Sequence, residues 1–261
     1  MTEITTRQHA FVKRCRAVVA RRGEEGIVLL DGEHLISDAL AARVPLEGLL
    51  TDGHAQDVVA AAAAWGIPLF HATSDILAAA SPVRTPTGVV ALARWAPASI
   101  DDALSGPAPL VVGLVGVQDP GNVGSVIRSA EALGATSVVA LDDTADPAGW
   151  RALRGAMGST FRLTIGRGQT ADFLAAARRH AIPVAGTTLS GGTTVGRVPI
   201  APPLVILFGG EGPGLSVSVL ASCDHRLTIP MKRGVNSLNV SVSVALVLWE
   251  AQRGSIAPAK K

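Results

Sequence analysis

LVVGLVGVQDPGNVGSVIRSAEALGATSVVAL, residues 110–141, reads as a strand, a glycine-bearing loop, a helix and a second strand. Leu110–Val115 and Ser137–Leu141 are apolar runs of strand length, as expected of strands buried on both faces, and Val123–Leu133 carries its apolar residues at helical spacing. The alternation continues outward. Upstream, candidate strands 26–30, 46–51, 67–71 and 88–93 alternate with helices starting near Glu33, Ala55 and Ser74. Downstream, strands 162–165, 182–186 and 204–208 flank a helix over 171–180. This pattern predicts an α/β protein of two domains, the second on a mostly parallel sheet. APASIDDALSGPAP, residues 96–109, is punctuated by Pro97, Gly106, Pro107 and Pro109 and reads as a linker between domains 1–95 and 110–261.

Composition narrows the class. Of 261 residues 48% are hydrophobic, too many for a disordered chain. Two cysteines, Cys15 and Cys223, exclude a disulfide scaffold and point to a reducing compartment. The longest apolar runs, 110–117 and 240–249, fall short of the roughly 18 residues a membrane helix needs, and the first 25 residues lack a signal-peptide core. The expectation is a soluble protein of the cytoplasm. His9, His34, His54, His71, His180 and His225 show no ligand spacing, so no metal is expected. With 3% aromatic residues and no tyrosine, a base-stacking platform is not expected either.

The net charge of +2 conceals a basic start: residues 1–22 hold six cationic side chains against Glu3. Phe11, Cys15, Val18 and Val19 recur at helical spacing, with Arg7, Arg14 and Arg21 as a seven-residue stripe beside them. Such a stripe is either a solvated face or a face that tracks the phosphates of a polyanion, with Arg7, Lys13, Arg14 and Arg21 as contacts.

In parallel α/β sheets ligands sit beyond the carboxyl ends of the strands, so the loops there matter most. The loop beginning at Gly116 lacks the G-x-G-x-x-G fingerprint, which argues against a nicotinamide enzyme. GGEGPGLS, residues 209–216, has glycines at P-loop spacing but Leu215 in place of the lysine, which excludes an NTPase. What remains is a loop suited to close backbone approach to a ligand, with one carboxylate, Glu211, and with Pro213 stiffening the turn into a helix that runs to about Cys223. IPMKRGVNSLNVSVSVALVLWE, residues 229–250, sets Gly234, Asn236, Ser237 and Asn239 before an apolar helix, more polar groups than one N-cap requires.

In that order, 119–135, 207–216 and 229–250 resemble the three motifs of the SPOUT superfamily, in its TrmH or SpoU branch of RNA ribose 2′-O-methyltransferases. Residues 12–40 and 85–92 are similar, more loosely, to the substrate-binding domain of rRNA-modifying members. The resemblance implies a trefoil knot in the second domain, S-adenosylmethionine as cofactor, RNA as substrate and a homodimer formed through the knotted domain. Carried over by position, it assigns Gly209, Gly210, Glu211, Ile229, Met231 and Leu238 to the cofactor, the contacts at Gly209, Ile229, Met231 and Leu238 through the main chain. It assigns Asn122, Arg128, Glu211, Ser237 and Asn239 to catalysis, Arg128 serving its own pocket or, across the dimer, that of the partner. Because a guanidinium does not deprotonate under ordinary conditions, Arg128 is better cast as a phosphate clamp and alkoxide stabiliser than as a base. Six residues after Asn122 on one helix, it is expected near the same helix N-terminus. Ribosomal RNA is favoured as substrate; tRNA, or a non-catalytic RNA-binding or ribosome-assembly role on the same fold, are the alternatives.

Overall fold

A computed structural model describes residues 1–197, 200–232, 234–235 and 237–253. The chain forms two compact units, and each takes two segments of the sequence.

The first unit comprises Met1–Ala96 and Ala148–Arg162. Its first segment runs β1 (Thr2–Ile4), α1 (Ala10–Val19), β2 (Ile27–Asp31), α2 (Glu33–Ala41), β3 (Leu46–Thr51), α3 (Gln56–Ala64), β4 (Leu69–Ala72), α4 (Ser74–Ala80) and β5 (Val89–Arg94). The five strands lie in the order β1-β4-β3-β5-β2, with β5 antiparallel to both neighbours. Strand β5 is buried on both faces. Val90 and Leu92 join one core with Phe11, Cys15 and Leu77, while Val89, Ala91 and Ala93 join another with Leu30, Ile36 and Leu49. That alternation is the period of two expected of a strand.

The second unit comprises Pro97–Pro147 and the described residues from Leu163 onward. It starts with α5 (Ile100–Ala103), β6 (Leu110–Val115), α6 (Pro120–Ala132) and β7 (Ser137–Leu141). After the excursion through the first unit, whose helix α7 spans Trp150–Ala156, it resumes with β8 (Thr164–Gly168), α8 (Thr170–Arg179), β9 (Val184–Thr187), β10 (Thr193–Thr194), β11 (Leu204–Gly209), α9 (Val217–Ala221), β12 (His225–Thr228) and α10 (Val240–Arg253). Among the described residues its seven strands are all parallel, in the order β10-β12-β9-β11-β6-β7-β8. Their near-continuous apolar runs suit strands covered on both faces. From the central β6 the order runs outward in two directions, and Val115 pairs with Gly209 at the ends of β6 and β11. Both glycine loops therefore leave the sheet side by side at a switch point, where such sheets bind ligands.

The partition differs from the sequence reading in two respects. Residues 97–109 are part of the second unit: Ser99 and Asp102 form a reciprocal capping box that starts α5, and Ala103 and Leu104 are buried in the core. Proline and glycine on both sides hid this one-turn helix. Residues 148–162 leave the second unit because Leu153 and Phe161 complete the first unit's core. The strand expected over 162–165 is displaced to Thr164–Gly168.

The basic stripe is also corrected. Helix α1 stops at Val19; Arg7 precedes it, and Arg21 follows it with φ of 56°. The three arginines therefore do not share one helix face. Arg14 is ion-paired with Glu24 and Glu47, the latter at 2.5 Å, and Glu47 also holds Arg94. Arg7, Lys13 and Arg21 are exposed.

Among the described residues no helix is long and apolar enough to cross a membrane.

Candidate functional site

Helix α6 starts where Asp119 accepts a hydrogen bond from the Gly121 N–H at 2.7 Å and Pro120 sets the first helical φ. Its apolar face, Val123, Val126, Ile127 and Ala130, is buried, which leaves Asn122 in the first turn at the edge of the site. The loop before it is pinned by buried Thr144. The Thr144 hydroxyl donates to the Leu114 carbonyl at 2.8 Å and accepts from the Val117 N–H at 3.2 Å, while the Ala145 N–H donates to the Val117 carbonyl.

Against this pinned loop lies the glycine loop after β11. The Gly210 N–H donates to the Val115 carbonyl at 2.9 Å, and Gly210 bridges back to Gly214. A Cβ at Gly209 would fall on the backbone of Gly214 and Leu215, and one at Gly210 on the Gly116 carbonyl. This changes the reason for the two glycines. They permit close packing of the protein's own main chain, which in turn shapes the ligand loop, rather than clearing room for a ligand directly.

The loop forms one wall of a cavity of about 470 Å³, within the usual size range of small-molecule sites. Gly209, Gly210, Glu211, Ile229, Met231 and Leu238 all line it, as do Ser237 and Asn239. Thr187 at the end of β9, with Thr188 and Leu189 after it, lines it as well, and these three were not read from the sequence. They lie beyond the carboxyl end of another central strand, so the rule that located the two glycine loops could have found them. Asn236 lies outside the described residues.

Three of the residues assigned to catalysis are hydrogen-bonded in series. Asn239 Nδ2 donates to Asn122 Oδ1 at 2.9 Å, and Asn122 Nδ2 donates to Glu211 Oε1 at 2.6 Å. This joins all three sequence motifs through side chains 89 and 117 positions apart. Arg128 stands apart from them. Six residues beyond Asn122, it is about 9 Å further along α6 and rotated to another side, so the shared N-terminal placement does not hold. It is exposed, is not part of the cavity wall, and forms no ion pair among the described residues.

The remaining chemistry is limited. Burial, then the neighbouring Asp224, pushes the Cys223 thiol up, which disfavours a thiolate nucleophile behind the cavity. Among the described residues no three His, Cys, Asp or Glu side chains are grouped to hold a metal ion. Apolar walls from Phe208, Leu215, Leu227 and Ile229, beside main-chain groups of a glycine loop, suit a flat heteroaromatic ring recognised through the backbone. Exposed Ser237 and Glu211 give one side of the cavity a polar lip.

Fold and site together define a parallel α/β protein with a ligand cavity at the switch point of its sheet and a polar relay beside it, the arrangement of the SPOUT methyltransferases. Residues 109–249 match the SpoU rRNA Methylase family, and the chain belongs to that family. It is 28% identical over 228 residues to a 23S rRNA (guanosine(2553)-2′-O)-methyltransferase, RlmP, of Bacillus subtilis, covering 87% of this chain and 89% of that protein. A 23S rRNA (guanosine-2′-O-)-methyltransferase, RlmB, of Ralstonia nicotianae is 32% identical, with 80% and 86% covered. Among solved structures, an AdoMet-bound rRNA methyltransferase from Sinorhizobium meliloti superposes with a TM-score of 0.89 at 27% identity, covering 98% of this chain and 99% of the other. The SpoU methyltransferase AviRb of Streptomyces viridochromogenes, in complex with AdoMet, gives 0.82 at 28% identity, with 95% and 98% covered.

Proposed function

We propose that this protein transfers a methyl group from S-adenosylmethionine to the 2′-oxygen of one ribose in ribosomal RNA, in the cytoplasm. The observation that carries the reading is the cavity at the switch point, with the relay Asn239–Asn122–Glu211 at its polar side. Family membership and the rRNA methyltransferases similar over nearly the whole chain support it.

The cavity fits the cofactor's chemistry: apolar walls for the adenine and backbone groups at Gly209, Ile229, Met231 and Leu238 for its polar edge. When bound, S-adenosylmethionine supplies an electrophilic methyl group on a sulfonium. The protein's own residues present the ribose hydroxyl to it. Glu211 has a second carboxylate oxygen free of the relay to accept from that hydroxyl and to take its proton as the oxygen gains the methyl group, and Ser237 adds a hydroxyl at the cavity lip. Arg128 holds an adjacent RNA phosphate with its planar fork and steadies charge that develops on the ribose oxygen.

The position of Arg128 outside the cavity wall of its own chain supports a homodimer in which it acts on the pocket of a partner protomer. Helix α10 supports this: Val242, Leu246 and Trp249 recur at helical spacing and are 47%, 43% and 51% exposed, an apolar stripe suited to a second copy. Exposed Arg7, Lys13 and Arg21 of the first unit contribute sequence-independent affinity for phosphate.

Calorimetric titration with S-adenosylmethionine tests the reading. One binding event per chain is expected; no binding to the folded protein would favour a non-catalytic RNA-binding or assembly role.

A further inference from the structure

The relay has a direction, and a residue outside the three assigned to it sets that direction. Asn239 Oδ1 accepts two hydrogen bonds from Ser241, one from its backbone N–H at 2.8 Å and one from its hydroxyl at 2.6 Å. The full series is therefore Ser241 to Asn239 to Asn122 to Glu211, each residue donating to the next.

Both ends fix that polarity independently. A backbone N–H can only donate, so the Asn239 atom facing Ser241 must be its oxygen, and the Asn239 amide nitrogen must face Asn122. An ionised carboxylate can only accept, so the Asn122 atom facing Glu211 must be its nitrogen, and its oxygen must face Asn239. Turning either amide over would set donor against donor at Ser241 or oxygen against oxygen at Glu211. The two requirements agree only in the observed arrangement.

We propose that Ser241 is a positioning residue for methyl transfer: its hydroxyl anchors the donor series, holds Asn122 against Glu211, and so keeps the free Glu211 oxygen turned toward the RNA hydroxyl. This inference rests on the reading of the cavity as the methyl-transfer site. Ser241 does not line the cavity and is only partly exposed, so it acts through Asn239 rather than on substrate.

The test uses the full-length protein. Ser241→Ala keeps the backbone donor and removes the hydroxyl, so single-turnover methyl transfer to rRNA should fall about tenfold, the scale of one hydrogen bond. Affinities for S-adenosylmethionine and RNA should stay within about twofold. Ser241→Thr, which restores a hydroxyl, should recover most of the rate. Asn239→Asp can still accept from Ser241 but cannot donate to Asn122, and should lose about a hundredfold. The Asn122 and Asn239 side-chain amide resonances of the ligand-free protein report the relay without turnover, and both should shift and exchange faster with solvent in Ser241→Ala. A folded Ser241→Ala variant with wild-type rate and unmoved amide resonances overturns the proposal, as does a threonine variant no faster than alanine. Wild-type protein inactive on rRNA, with resonances that still respond to Ser241→Ala, would leave the relay standing and reject the reading of the reaction.

Discussion

The two units use their polar side chains differently. In the second, Asn239, Asn122 and Glu211 bond to one another at the rim of a cavity, none of them belonging to an ion pair among the described residues. In the first, polar side chains close on each other within the unit: Glu47 receives Arg14 and Arg94, Glu3 pairs with His71, and Asp52 joins His54 and Ser74, as Asp101 does with Arg179 and His180 in the second unit away from the cavity. A polar group that steadies its own fold has little left for a ligand, whereas the relay keeps one carboxylate oxygen available. The cavity and its relay belong to the second unit, while the first closes its charges on one another and keeps Arg7, Lys13 and Arg21 exposed.

The contrast can be broken most severely at the loop junction. Gly210→Val would drive its side chain into the Gly116 carbonyl, prying the two ligand loops apart. Overpacking costs about 1–3 kcal/mol, and S-adenosylmethionine binding by calorimetry should be lost in protein that remains folded by circular dichroism. Near-normal affinity would show that the two loops do not depend on each other. Arg128→Ala comes next: stability and cofactor affinity should hold while single-turnover transfer falls about a hundredfold or more, and Arg128→Lys should recover only a minority of it. If Arg128 acts across a dimer, mixing Arg128→Ala with Glu211→Ala subunits should restore activity that neither variant has alone.

Smaller effects sharpen the first unit's role as scaffold. Burial pushes the Cys15 thiol up to about 12. The folded chain keeps this proton where the unfolded chain loses it, so Cys15 makes stability fall as pH rises from about 9 toward about 12. Chemical denaturation across that range should show the loss, and Cys15→Ala should flatten it. The smallest effect belongs to Glu47, which its hydrogen bond from Arg14 holds below the usual carboxylate range despite an opposing cost of burial. Its contribution is present above the ordinary carboxylate value and is lost as pH falls through the lowered one. Glu47→Gln should remove that acid dependence, at most about 1 kcal/mol for a partly exposed pair.

How much was legible follows from distance along the chain. The parallel sheet and both glycine loops could be read because a buried strand and the turn after it are written in consecutive residues, as in Leu110–Val115 and Gly209–Gly214. Residues of the cavity wall such as Ile229 and Leu238 came only through resemblance to a family, since an apolar residue carries no mark of what it faces. The pairing of Arg14 with Glu47, 33 positions away, could not be read from the local spacing that set Arg14 in a stripe with Arg7 and Arg21. Residues 148–162 changed unit for the same reason: nothing local to Leu153 says which core it completes. Arg128 was misplaced because counting six residues ignored the helical rise and turn.

The central claim is tested most directly by incubating the protein with methyl-labelled S-adenosylmethionine and rRNA from a strain lacking the gene, then locating the label. One ribose should become labelled at its 2′-oxygen and resist alkaline cleavage there, with the label falling about a hundredfold or more in Asn122→Ala and Arg128→Ala single-turnover reactions. Label on a base, or no label from folded protein that binds the cofactor, would contradict the account.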